Sequence, residues 1–216
     1  MERVGSRVTA GLAALALAGG ALAAAGPAAS AATTACGAGC LALASQAFGP
    51  SDVSAVYYPR FARPGEGQSV VLSSVGDLST EDWRLTAEGT VAQFYALGIV
   101  GAAVGQTWPS YETYEYRYTP NGKDSNTCLG ARATAANGTA VILQPCGINS
   151  QTLWIPLASD VSSGFEPLIN GSDTVVNTPY VLTAGPVGTS LTTSELSTVA
   201  GAFNRTQMWE NILGVL

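Results

Sequence analysis

From Cys128 to Trp154 the chain reads CLGARATAANGTAVILQPCGINSQTLW, and this stretch limits the available folds more than any other. A cysteine opens a short apolar step, Cys128-Leu129, and an Asn137-Gly138-Thr139 turn follows. A β-branched run, Ala140 to Leu143, then leads into Cys146, and a second turn, Gly147 to Gln151, precedes Leu153-Trp154. Asn-Gly between two apolar runs marks a hairpin, because both residues tolerate the positive φ of tight turns. Cysteines flanking a hairpin are placed to bridge neighbouring strands. The stretch predicts an all-β unit with a staple.

The unit recurs. VVLSSVGDLSTEDWRL places Val75 eight residues before Trp83, as Cys146 lies eight before Trp154. A weaker copy ends the chain, with its strand expected at Gly188-Thr189-Ser190-Leu191 and its tryptophan in Thr206-Gln207-Met208-Trp209. Tyr180-Val181-Leu182-Thr183 stands where Thr127-Cys128-Leu129-Gly130 stands in the preceding copy. The three tryptophans are 71 and 55 residues apart, so insertions are expected at Ala96–Tyr118 and Leu196–Arg205. Repeats of this kind cannot bury their apolar faces singly and must close on one another.

The arrangement resembles the repeat of ricin B-type β-trefoil lectins. That repeat runs Cys-Leu-Asp, a glycine turn, Val-x-Leu-Trp-x-Cys and then Gln-x-Trp. Cys128, Leu129, Asn137-Gly138-Thr139, Val141, Leu143, Cys146 and Trp154 fall into its frame. The resemblance implies an all-β fold, a β-trefoil of three imperfect repeats with insertions, in which Trp83, Trp154 and Trp209 plug the core. It also implies a sugar site made by an Asp after Cys-Leu, an aromatic two residues before the second Cys, and an Asn-Gln pair. Gly130, Gln144 and Gln151-Thr152 occupy those positions here, Thr183 replaces the Asp in the third copy, and Glu81 replaces the Gln in the first. Only Gln207 keeps the family's residue in the third copy. The resemblance therefore carries the fold further than it carries the sugar site.

The N-terminus sets the expected compartment. Arg3 and Arg7, an Ala/Leu/Gly run from Ala10 to Ala25, and Ala29-Ser30-Ala31 match a signal peptide spanning residues 1–31. The expected mature chain is a single domain over residues 32–216, secreted and without stable membrane insertion, since the apolar run is short. A lipid anchor at Cys36 or Cys40 is the less favoured route, because neither site has the usual Leu three residues before it. Four cysteines in an exported chain suggest two disulfides, for which Cys128–Cys146 and Cys36–Cys40 are the favoured pairs. The Ala and Gly bias fits a high-GC bacterial source.

Composition excludes several chemistries. The chain has no histidine, and Lys123 is its single lysine. Histidine-assisted nucleophiles are excluded and zinc sites that draw on histidine are handicapped, so no metal, no cofactor and no enzymatic activity are expected. With a net charge of −6 and no basic run, nucleic acid and anionic membranes are not expected partners. Asp77, Glu81 and Asp82, or Glu112 and Glu115, lack any spacing that would define a hydrolase pair. The Asn137, Asn170 and Asn204 acceptor patterns for glycosylation read as turns.

Along the chain, Leu41 to Phe48 fits a helix or a strand, Gln68 to Leu72 a strand, and Val75-Gly76-Asp77 a turn. Val91 to Val104 is the most apolar stretch, and Gly98, Gly101 and Gly105 favour buried strand plus a glycine-rich loop over helix. Tyr114, Tyr116 and Tyr118 alternate with Glu115 and Arg117, the period of a strand with one aromatic face. With Trp108, Tyr111 and Glu112 this run forms a candidate sugar platform within an insertion. The expected function is a non-catalytic, monomeric binding module for carbohydrate, with Trp108, Tyr111, Glu112, Tyr114, Gln144, Gln151 and Gln207 as candidate contacts. The competing expectation is a secreted protein partner, such as a protease gripped by a rigid loop at Pro59–Gly67.

Overall fold

A computed structural model describes residues 40–47, 57–61, 66–74, 83–119, 124–157 and 164–213. The leader, Cys36, Glu81 and the Val75-Gly76-Asp77 turn lie outside the described residues, and so does the proposed Cys36–Cys40 pair. Among the described residues, twelve strands join in one sheet. They group as three units of four. The first holds β1 (Cys40–Ser45), β2 (Tyr57–Phe61), β3 (Val70–Ser74) and β4 (Trp83–Thr90); the second holds β5 (Glu112–Tyr118), β6 (Thr127–Ala131), β7 (Thr139–Pro145) and β8 (Trp154–Pro156). The third holds β9 (Leu168–Asn170), β10 (Tyr180–Thr183), β11 (Thr192–Glu195) and, after a small β12–β13 hairpin at Thr198–Val199 and Ala202–Phe203, β14 (Trp209–Leu213).

The outer strands of the units close a barrel. β1 pairs β4, β4 pairs β5, β5 pairs β8, and β8 pairs β9. A Glu166↔Trp209 bridge links the start of β9 to β14, and β14 returns to β1 over Leu41↔Leu213 to Ser45↔Trp209. The inner hairpins β2–β3, β6–β7 and β10–β11 meet as a cap through Ser69↔Ile142, Val71↔Ser190 and Thr192↔Ala140. Three hairpins over a six-stranded barrel define a β-trefoil. Closure leaves the barrel without a free edge, which short strands need in order to satisfy their backbone groups.

Each unit's last strand begins with a tryptophan, and all three are buried to within 1%. The Trp154 indole donates to the Leu129 carbonyl at 2.9 Å, and Trp209 repeats the bond to Leu182 at 2.8 Å. Trp83 lies tilted against Tyr118, with ring centroids 5.7 Å apart. Leu43, Leu72, Leu129, Leu143, Leu168 and Leu182 fill the space between them. The expected Cys128–Cys146 disulfide is formed and ties β6 to the end of β7.

The structure corrects four expectations. Val91–Ala96 and Ala102–Thr107 are helices, α1 and α2, where strand and glycine loop were expected. Thr90 and Gln93 cap α1 reciprocally, and Gly98 ends it at φ 71° with its N–H on Tyr95 O at 2.9 Å. Gly105 lies directly under the Tyr95 ring, so the glycine allows the helices to cross rather than breaking one. Their apolar residues Val91, Phe94, Val100 and Val104 cover the outward faces of Ile155, Ile169 and Val181. Second, the insertion ends earlier than Tyr118: Glu112–Tyr118 is barrel strand β5, paired along β4. Third, the last copy's strand starts at Thr192, because Gly188 (φ 84°) still belongs to the turn before it. Fourth, Pro59–Phe61 is not loop but part of β2, paired residue by residue with β3, which removes the start of the proposed protein-gripping loop.

Trp154→Phe should keep most of the ring packing while leaving the buried Leu129 carbonyl unpaired, at a cost of about 1–3 kcal/mol. Trp154→Ala should cost about 3–5 kcal/mol. Urea unfolding of the oxidised protein measures both.

Candidate functional site

The positions that the lectin resemblance marks in the second unit are occupied by the protein's own side chains. Gly130 would leave space beside β6, but the Gln144 side chain folds across it and donates to the Ala131 carbonyl. A Cβ at residue 130 would lie 2.9 Å from Gln144 Nε2 and 3.2 Å from Thr152 Cγ2. Gln151 acts through its backbone, its carbonyl accepting from Ala131 N at 3.1 Å and from Asn170 Nδ2 at 2.9 Å. In the third unit Gln207 is 2% exposed and its amide is fully used. It donates to Ser194 Oγ and the Glu195 carbonyl, both at 2.8 Å, and accepts from Ser197 N at 2.9 Å. Both positions are filled by the protein's own amides.

A buried acid lies beside the disulfide. Glu115 accepts from Thr152 Oγ1 at 2.7 Å and Gly147 N at 3.1 Å, and its other oxygen sits 3.7 Å from Cys128 Sγ. Glu115, Cys128 and Cys146 form the sole metal-donor grouping among the described residues. Their two sulfurs are bonded to each other, so the group is structural. Buried Asp173 is structural too, accepting from Val175 N at 2.8 Å and Tyr180 N at 2.9 Å.

The aromatic run divides. Trp108 and Tyr111 are half-buried and pack against the α1–α2 cluster. Tyr116 and Tyr118 are buried inside the barrel. Glu112 and Tyr114, at the start of β5, line a cleft of 280 Å³ with Leu85, Pro156, Glu166 and Asn211.

The address of this cleft follows from the repeat. Leu85, Pro156 and Asn211 each stand two residues beyond a unit tryptophan, so all three point the same way as Trp83, Trp154 and Trp209. Tyr114 faces Trp154, as Glu166 faces Trp209 and Leu41 faces Trp83. The cleft is thus the mouth of the barrel on its pseudo-threefold axis, at the start of β5, whereas the cap hairpin leaves from that strand's end. Sequence reading found Glu112 and Tyr114. It missed Leu85, Pro156, Glu166 and Asn211, although the spacing of two from each tryptophan marks three of them.

The mouth is electronegative. Tyr114 O–H donates to Glu112 at 2.5 Å. That bond first, then burial and the charges of Glu112 and Glu166, push the phenol up to about 12. Burial raises the Glu166 carboxyl above its ordinary value, and it does the same to neighbouring Glu210. The Asn211 side chain turns inward and is engaged by the buried Tyr116 hydroxyl.

No family model matches the chain, and no curated protein does either. Among solved structures it is similar to the designed 3-fold symmetric protein ThreeFoil, at a TM-score of 0.50 and 14% identity, over 81% of this chain and 98% of that one. The likeness concerns the fold, and it agrees with the three units traced above.

With its folded-state pKa raised, Glu166 keeps its proton to higher pH in the native chain than in the unfolded one. Native stability is therefore lost as pH rises from the unfolded value, about 4.5, through the folded one. Glu166→Gln should be more stable than the parent at neutral pH, by a fraction of about 1 kcal/mol given partial solvent screening. The gap should close in acid, where both states carry the proton. Urea midpoints across an acid-to-neutral series test this.

Proposed function

We propose that the chain is an exported, non-catalytic carbohydrate-binding module whose site is the barrel mouth. The observation that carries this reading is the chemistry at the pseudo-threefold positions. Packing alone would favour apolar residues around the axis, as at Leu41 and Leu85, yet Tyr114, Glu166 and Asn211 bring a ring, a carboxylate and an amide there. Small-molecule sites combine apolar walls with a few fixed polar groups, and at 280 Å³ this one lies near the lower end of their range, about 300 Å³. A single sugar ring matches that size. The Tyr114 ring, Leu85 and Pro156 supply faces for C–H groups, while Glu112 and Glu166 supply acceptors for hydroxyls.

Export is supported by the leader-like N-terminus and by the Cys128–Cys146 disulfide, a bond that oxidising compartments preserve. Binding without turnover is supported by the environment of the acids. Glu112 is engaged by Tyr114, and the chain has no histidine to shuttle protons. The resemblance to ricin B-type lectins supports the ligand class, with the site moved from the hairpins to the axis.

A glycan array probed with the oxidised mature protein tests the reading. Tyr114→Ala should weaken binding by at least roughly tenfold, about 1.4 kcal/mol, whereas Trp108→Ala should leave affinity unchanged in whatever fraction folds. Released reducing ends during incubation with bound oligosaccharides would overturn the non-catalytic part. Absence of any glycan binding would overturn the rest.

A further inference from the structure

The hydrogen-bonding character of the barrel mouth defines its ligand more narrowly. Resting on the carbohydrate reading above, we infer that the site takes an amino sugar with a free ammonium group, in preference to its N-acetylated or neutral counterpart. The first observation is a count of donors. Glu112 and Glu166 offer carboxylate oxygens. Against these acceptors stands the Tyr114 hydroxyl, whose proton is already committed to Glu112. The Asn211 amide is engaged by the buried Tyr116 hydroxyl, so no free side-chain donor is left among these lining residues.

A donor-poor, acceptor-rich cleft selects a ligand rich in donors. An ammonium brings three N–H groups and no acceptor, so it satisfies oxygens that would otherwise lose water on binding without a replacement. An N-acetyl group brings one N–H and a carbonyl that itself needs a donor.

The second observation is charge. No lysine or arginine lines the cleft among the described residues, and Glu112 and Glu166 both lie close enough to Tyr114 to raise its phenol. Two carboxylates without a resident counter-ion attract a cation, and charge-assisted hydrogen bonds are the stronger kind. Leu85, Pro156 and the Tyr114 ring give that cation's carrier an apolar face, which suits a pyranose better than the flexible stem of a lysine.

Calorimetry with the oxidised mature protein would compare four probes of equal length: glucosamine, N-acetylglucosamine and glucose oligomers, and oligolysine. The glucosamine oligomer should bind at least roughly tenfold more tightly than either neutral oligomer, with the preference shrinking as salt is added. Glu112→Gln and Glu166→Gln should each reduce that preference while changing the N-acetylglucosamine affinity little, and Tyr114→Ala should weaken all sugars. Neutral oligomers binding as well as glucosamine would overturn this inference and leave the carbohydrate reading standing. Oligolysine binding as tightly as glucosamine oligomers would overturn it in favour of a peptide site. No binding by any oligosaccharide would remove both readings together.

Discussion

The fold depends on one hydrogen bond made twice. Trp154 and Trp209 each plug the barrel with an indole and send its N–H to a leucine carbonyl in the hairpin strand of the same unit. The bond does two things at one residue. It satisfies a donor that burial would otherwise leave costly, and it fixes the cap hairpin over the barrel wall. Everything two residues further along each strand then faces the axis, and that is where the mouth forms. The position of the candidate site is thus a consequence of the core tryptophans.

This explains why the cleft stands apart from the hairpin positions of the sugar-binding pattern. In the second and third units those positions have been taken over by amide side chains. Gln144 spans the gap above Gly130, and Gln207 spends its whole amide on Ser194, Glu195 and Ser197. These bonds stabilise the units and engage the Gln144 and Gln207 amides within the protein. Glu112 and Glu166 lie at the mouth instead, where burial raises the Glu166 carboxyl above its ordinary value.

Much of the architecture was legible in the sequence because it is carried by local signals. Asn137-Gly138, the cysteine spacing and the repeated tryptophan named the units, and Tyr114–Tyr118 showed its strand period. What stayed hidden depends on contacts distant in sequence. The glycines of Val91–Val104 argue against helix in isolation, yet Gly98 is a helix stop and Gly105 a crossing point under Tyr95. The covering role of the two helices needs Ile155, Ile169 and Val181, which no local window contains. Glu166 and Asn211 read as ordinary polar residues of short strands, because only barrel closure turns both toward Tyr114.

The closing contact itself, β1 against β14, joins residues 41–45 to residues 209–213. Each of the other barrel seams can form once its neighbouring strands exist, but this one waits for almost the whole polypeptide. Until Trp209–Leu213 has been made, the barrel has an open side and an unfilled third of its core. The last seam is therefore the one with the largest chain-closure entropy, and the barrel wall is complete only once these sequence-distant strands have met.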